Sequence, residues 1–243
     1  APDEIFMDGV DIEKIKQVIA NAKNGYQPPE IIHELFFAAG IPWTKEIVAK
    51  CETEAVLAAL KIGFPVVMKV VGPVHKTDLG GVVLNIHNVD EVRKEFHHLN
   101  SIEGVKGVLV AQMARGTELF LGAAYEEKFG HVVMCGLGGI YVEVLKDVAS
   151  GLAPLTMGEA MSMIRQLRSY KILKGYRRQE GVNIKKFAEI IVRLSTLLRF
   201  ATEIKELDIN PLLGNEKEIL GVDARIRVQK SNLSGERQRQ QIA

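Results

Sequence analysis

Cysteine is scarce in this 243-residue sequence, and Cys51 and Cys135 stand far apart without CxxC spacing. Neither a zinc site nor a disulfide framework is indicated, and a reducing, cytoplasmic compartment fits that usage. Net charge is nearly absent as well. The 31 basic and 30 acidic residues almost cancel, which removes the broad electropositive surface that nucleic acid would need. No apolar run reaches the length of a membrane span, and the opening Ala1-Pro2-Asp3-Glu4 lacks the basic and apolar regions of a signal peptide. The expectation is therefore no nucleic acid and no membrane partner. The first residue is Ala1 rather than methionine, through trimming or excision, and excision from a longer polypeptide is the expectation. What is present is 47% hydrophobic and 25% charged residues. That balance is ordinary for a globular chain with a sizeable core, and the length leaves room for two lobes.

The apolar spacing predicts a helix over residues 11–23, a break at NGYQPP, and a second helix from Glu30 to Ala39 that ends at Gly40. Ile41 to Val48 reads as a strand, Glu52 to Ile62 as a helix and Pro65 to Val71 as a buried strand. A strand over 81–86, a helix over 89–99 and a strand over 106–112 complete a small α/β lobe. The second lobe opens with strands near Glu118 and His131, passes the glycine-rich Gly136-Leu137-Gly138-Gly139, and adds helices near 157–168 and 183–199. Strands at 203–213 and 218–228 close it. The expected division is a lead-in helix and linker over 1–27, a small lobe over 28–110, a large lobe over 111–229 and a polar tail over 230–243. No internal repeat is visible.

Lys69 interrupts an apolar strand, so it must reach solvent, as an edge-strand lysine would, or meet an anion. The next segment, Gly72 to Val82, is a polar turn with His75, Lys76 and the paired glycines Gly80 and Gly81, able to cradle phosphate through backbone N–H groups. It is not a P-loop, and Gly136 to Gly139 does not complete GxGxxG. A lone histidine most often has no role, and that is the reading of His33, His87, His97, His98 and His131. His75 differs by its neighbourhood, because imidazole nitrogen is a competent nucleophile towards phosphoryl groups and Lys76 would attract them. Near the end, the two-residue strand period places Glu206, Asp208 and Asn210 on one face, with Ile204, Leu207, Ile209 and Leu212 implying burial on the other. A hairpin at Gly214-Asn215 brings Asp223 opposite Asn210. Such hard oxygen donors suit Mg²⁺ held together with a nucleotide phosphate, and a solvated strand face is the plainer reading.

The segments PVVMKV, HKTDLGGV, GLGGIYVEVLKDV, APLT, EIKELDINPLL and VDARI, spread over about residues 28–228, resemble the β subunit of ADP-forming acetyl-CoA synthetase. The wider NDP-forming acyl-CoA synthetase family shares them, and the β subunit of succinyl-CoA synthetase does so more remotely. The resemblance implies an ATP-grasp fold of α/β type, with a nucleotide cleft between two lobes. It implies that His75 takes a phosphoryl group from a phosphohistidine on the partner and passes it to ADP, and that the reverse direction uses ATP. Lys69, Lys76, Gly80 and Gly81 would then lie at the phosphates, Gln112 and Met113 at the adenine hinge, and Glu118 near the ribose. Gly138, Gly139, Glu143 and Lys146 would line the phosphate side, with Arg225 also at the nucleotide. Asn210 and Asp223 match the metal-binding pair of the succinyl-CoA synthetase β subunit, and Asp208 stands where that subunit has glutamate.

The implied reaction takes acyl-CoA, ADP and phosphate to free acid, CoA and ATP, with Mg²⁺. No CoA-binding Rossmann unit is evident, so a CoA-binding α subunit or fused α portion is the implied partner, in an oligomer. One departure stands out. After KDV the family continues Ser-Phe-Arg, where this chain has Ala149-Ser150-Gly151. An arginine at that position would neutralise phosphate charge. Its replacement keeps open a non-catalytic, nucleotide-sensing module that regulates an acyltransferase. An ATP-grasp carboxylate ligase working through an acyl phosphate, with His75 incidental, is the other alternative.

Overall fold

The computed structural model describes residues 8–72, 80–139, 146–176 and 180–230. They form two compact units, one from residues 1–43 and 115–243 and the other from 44–114.

In the larger unit, α1 (Ile12–Asn21) starts at Asp11, whose carboxylate accepts from the Lys14 N–H at 2.9 Å, and buries Ile15, Val18 and Ile19. The helix α2 (Pro29–Ala39) has Pro29 in its first turn and ends at Gly40. Between them β1 (Gly25–Tyr26) is a two-residue strand where the sequence suggests only a linker. It exists because Gly25 and Tyr26 pair with Val228 and Arg227. The strand β2 (Glu46–Ala49) begins the smaller unit and is shorter than the expected 41–48. There α3 (Glu52–Ile62), β3 (Val66–Val71), β4 (Val82–Ile86), α4 (Val89–Asn100) and β5 (Gly107–Gln112) follow. Their four-stranded antiparallel sheet has the order β2-β5-β3-β4. Its core holds Ala55 and Ala58 of α3, Phe96 and Leu99 of α4, and Val66, Met68, Val70, Val108 and Val110 of the strands.

The chain then returns to the larger unit with β6 (Thr117–Glu126), β7 (Gly130–Leu137) and β8 (Val148–Leu152). Next come α5 (Met157–Gln166), whose Thr156 and Glu159 form a capping box, and the short α6 (Tyr170–Leu173). The longest helix, α7 (Ile184–Phe200), precedes β9 (Ile204–Gly214), β10 (Ile219–Gly221) and β11 (Ala224–Val228). All pairs in this sheet are antiparallel, in the order β1-β11-β9-β6-β7-β8 with β10 beside β9. Period-two alternation sends Leu207 and Ile209 of β9 into one core with α1, α2, α5 and α7, and the register shifts of its two ladders near Ile204 and Leu212 bring those residues into the same core. The face carrying Glu206, Asp208 and Asn210 points away from that core.

The division between units falls later than the sequence suggests. Residues 28–43 belong with the larger unit, because Ile32, Leu35, Phe36, Ala38 and Ala39 of α2 are buried in its core. Among the described residues, no helix is long and apolar enough to cross a membrane.

Candidate functional site

The neighbours of Asp208 follow from register. On β9 it stands opposite Gly122 of β6 and Arg225 of β11, while Glu206 stands opposite Ala124 and Arg227. The pairing of β6 with β9 slips between Leu119 and Leu121, opposite Asn210 and Pro211. Proline has no N–H for the ladder, and the irregularity leaves the Asn210 amide off the regular pattern. A cavity of about 450 Å³ lies on this face, lined by Phe120, Gly122 and Met134 as well as Gly139, Glu206, Asp208, Asn210 and Arg225. That volume suits a ligand of nucleotide size.

Asp208 is the electrostatic centre. Burial pushes its carboxyl above the ordinary value, the Arg225 charge pulls it back, and Asp223 adds to the rise. Its Oδ2 lies 3.6 Å from Arg225 Nη2, an ion pair too long for a hydrogen bond. Its Oδ1 is buried with no hydrogen-bond partner among the described residues. An unmatched anionic oxygen beside a second carboxylate is the environment that a bound cation relieves. Asp223 is where the expected hairpin would bring it, its C=O accepting from the Asn210 N–H at 3.1 Å. The turn itself is the four-residue stretch from Asn215 to Glu218, in which Asn215 Oδ1 accepts from the Lys217 and Glu218 amides at 2.8 and 3.0 Å.

Two parts of the expected arrangement differ. Glu206 does not converge with Asp208 and Asn210, because its carboxylate accepts from Arg227 Nη2 at 2.7 Å and from the Tyr26 hydroxyl at 3.3 Å. The Arg227 hydrogen bond, chiefly, holds Glu206 below the ordinary carboxylate range. Asn210 Oδ1 also accepts from the Gly139 N–H at 2.9 Å, so it anchors the glycine segment and has one lone pair left for a ligand. Among the described residues no three His, Cys, Asp or Glu side chains are grouped as metal ligands. The fitting set is two carboxylates and one amide.

Gly138 and Gly139 are required by space. The Gly138 N–H donates to the Glu118 C=O at 2.8 Å, and a Cβ on Gly138 would lie 2.6 Å from the Leu119 carbonyl oxygen. Gly139 has φ +61°, and a Cβ there would collide with the Glu118 carboxylate. Glu118, expected near the ribose, is thus next to the glycine segment. Arg225, expected at the nucleotide, is on the cavity wall.

Other expected residues belong to the smaller unit. Lys69 pairs with Leu109 and Val82, one step out of phase with Met68 and Val70, so it stands on the sheet face away from that unit's core. Gln112 ends β5, its N–H donating to the Lys45 C=O at 2.8 Å, and Met113 follows. Gly80 has φ +67°, and the Gly81 C=O accepts from the Val70 N–H at 2.9 Å. His75, Lys76 and Glu143 lie outside the described residues. Of the other histidines, His131 is buried and its Nε2 is 2.6 Å from the Ile204 carbonyl. Burial, chiefly, lowers its pKa.

Gly151 corrects the reading placed on it. It pairs with Val133 on the core side of β8, and a Cβ would lie 2.8 Å from Met163 Sδ and 2.9 Å from Leu155 Cδ2. Its φ lies outside the left-handed range, so the glycine serves tight packing and not an unusual backbone conformation. The missing arginine is therefore no gap in the cavity lining, and the argument for a sensing module loses its support.

The family model for the ATP-grasp domain matches residues 17–228. This chain belongs to the ATP-grasp family. Its relatives include acetate–CoA ligase (ADP-forming) I subunit beta of Pyrococcus furiosus, 41% identical over 88% of this chain and 98% of that subunit. Another is the 4-hydroxybutyrate–CoA ligase (ADP-forming) of Nitrosopumilus maritimus, 43% identical over 89% of this chain. The ATP-grasp chain spans only 33% of the length of that ligase. Acetyl-coenzyme A synthetase 1 of Ca. Korarchaeum cryptofilum, solved with coenzyme A and Mg-AMPPCP and with its phosphohistidine segment pointing towards the nucleotide binding site, superimposes with a TM-score of 0.77 at 36% identity. That match covers 90% of this chain and all of the other.

Proposed function

We propose that this chain is the phosphoryl-transfer part of an ADP-forming acid–CoA ligase, interconverting ATP and a phosphohistidine at His75. The full reaction, acyl-CoA with ADP and phosphate to acid, CoA and ATP, needs a CoA-binding α subunit or fused α portion. The observation that carries the reading is Asp208, whose buried Oδ1 has no partner among the described residues, on the wall of a nucleotide-sized cavity with Asn210 and Arg225 and with the Asp223 charge nearby, in an ATP-grasp sheet. The near full-length likeness to a ligase β subunit supports it.

In the synthesis of phosphohistidine, a ring nitrogen of His75 attacks the γ-phosphorus of ATP. A P–N bond forms, the bond from that phosphorus to the β,γ-bridging oxygen breaks, ADP leaves with the oxygen, and the ring releases its N–H proton. The reverse step transfers the phosphoryl group to a β-phosphate oxygen of ADP. Lys69 and Lys76 balance the charge of the phosphates, and Gly80 and Gly81 orient them through backbone N–H groups. Gly138 and Gly139 give them a close backbone approach. Gln112 and Met113 offer backbone groups to adenine, and Glu118 lies towards the ribose. Asp208, Asn210 and Asp223 would hold Mg²⁺, which offsets the negative charge of the polyphosphate when bound.

Incubation with γ-labelled ATP and Mg²⁺, alone and with the α partner, tests the reading. The label is expected to be acid-labile and base-stable, as a phosphoramidate is, and absent from His75→Asn. Full labelling of that variant would reject the phosphohistidine and favour an acyl-phosphate ligase.

A further inference from the structure

We propose that Trp43 is a positioning residue for Asp223 and acts on the metal–nucleotide complex through Gly221. The proposal rests on the reading of Asp223 as a ligand of that complex. Trp43 is the single tryptophan of the chain and the last residue of the first segment of the larger unit. Its ring centroid is 5.1 Å from that of Phe36 and 5.6 Å from that of His33, both on α2. On the other side it covers Gly221, with which it forms an isolated parallel bridge. A Cβ on Gly221 would collide with Cε3 and Cζ3 of the indole.

The turn under the ring leads straight to the site. The β10 ladder ends with the pair Gly221 and Leu212, and the β11 ladder begins with Ala224 and Ile209, so Val222 and Asp223 are in neither. Three hydrogen bonds hold the turn instead. The Gly221 N–H donates to the Pro42 C=O at 2.9 Å, the Val222 N–H to the Pro211 C=O at 3.2 Å, and the Asn210 N–H to the Asp223 C=O at 3.1 Å. Trp43 and Pro42 thus brace one side of the turn, and β9 the other. The indole occupies this place although its Nε1–H is buried with no partner among the described residues, a cost that a phenylalanine would not carry. The shape of the larger ring is what the turn uses. A ligand set works only when its side chains are held to within about 0.5 Å. Asp223, outside any ladder, takes that precision from the ring stacked over Gly221.

Calorimetric titration with a non-hydrolysable ATP analogue, with and without Mg²⁺, tests this on wild type, Trp43→Ala, Trp43→Phe and Gly221→Ala. Trp43→Ala and Gly221→Ala are expected to cut the affinity gained from Mg²⁺ by about tenfold, the lower end of what losing the support of a metal ligand costs. Metal-free affinity should not change, and Trp43→Phe, which lacks the indole atoms Cε3 and Cζ3 that lie over Gly221, should recover only part of the gain. If Trp43→Ala does not fold, Gly221→Ala decides, since it keeps the ring and shifts it by one methyl group. An undiminished gain in the folded variants, or an equal loss with and without Mg²⁺, would overturn the proposal and leave Trp43 a packing residue. A wild type that gains nothing from Mg²⁺ would overturn it differently, by removing Asp223 as a ligand before any variant is considered.

Discussion

A carboxylate kept in a poor environment makes a stability prediction of definite sign. Burial raises the folded-state pKa of Asp208, so the unfolded chain releases this proton at lower pH than the folded one. Its favourable contribution is then fully present below the ordinary carboxylate range and is lost as pH rises through the raised value. At neutral pH the ionised side chain costs stability in the nucleotide-free protein, with Arg225 offsetting part of the cost. Asp208→Asn should therefore raise the melting temperature without nucleotide at pH 7, and the difference from wild type should vanish below about pH 4. The same variant should weaken Mg²⁺-nucleotide binding by tenfold or more, which is roughly the loss that even outer-shell changes bring. Thermal melts across pH, with and without Mg-ATP analogue, check both signs. A wild type more stable than the variant at pH 7 would mean that the Arg225 pairing outweighs burial. Asp223→Asn separates charge loss from desolvation. This residue is exposed, so its melting temperature without ligand should barely move while the nucleotide-induced rise shrinks.

At the scale of elements, β8 shows how a strand can undo an inference drawn from aligned residues. The resemblance implied an arginine where this chain has Gly151, and the strand turns that position onto Met163 and Leu155. Gly151→Arg is accordingly expected to destabilise the chain by about 1–3 kcal/mol through overpacking, without faster labelling from ATP. Denaturant melts and a labelling time course measure the two effects, and a stable, faster variant would restore the arginine's presumed role. β8 also marks what the sequence could show. Helix α1 was legible because Ile15 and Ile19 stand one turn apart and meet one core, and the core face of β9 because Leu207 and Ile209 alternate with Glu206, Asp208 and Asn210. The strands β1 and β8 were not, since Gly25-Tyr26 and Val148 to Leu152 carry little alternation and owe their form to β11 and β7. In the proposed site, the placement of Asp208 and Asn210 on one strand face with Asp223 across a hairpin was legible from strand spacing. The hydrogen bond from Gly139 to Asn210, the capture of Glu206 by Arg227 and Tyr26, and the ring of Trp43 over Gly221 were not. Each joins residues far apart in sequence, and no local pattern signals them.

For the whole molecule, the informative feature is that each unit has its own buried core while the chain visits the smaller one as an insertion between Trp43 and Arg115. The two ends of that insertion are adjacent. Gln112 donates to the Lys45 C=O at 2.8 Å, and Glu46 pairs with Ala111. A short glycine-serine linker in place of residues 45–112 should therefore close without straining α2 or β6. The shortened chain is expected to melt in one cooperative transition, because the core built from α1, α2, α5, α7 and the long sheet draws no side chain from the excised segment. It should still gain affinity for nucleotide from Mg²⁺, since Asp208, Asn210, Asp223 and Arg225 all remain. It should take no label from γ-labelled ATP, having lost His75, and should bind nucleotide more weakly in every condition, having lost Lys69. Circular dichroism melts, calorimetry with and without Mg²⁺, and the labelling assay form the measurement. An unfolded product would show that the large core depends on the smaller unit, and a folded product without a Mg²⁺ gain would place the metal's main ligands outside β9 and the turn that precedes β11.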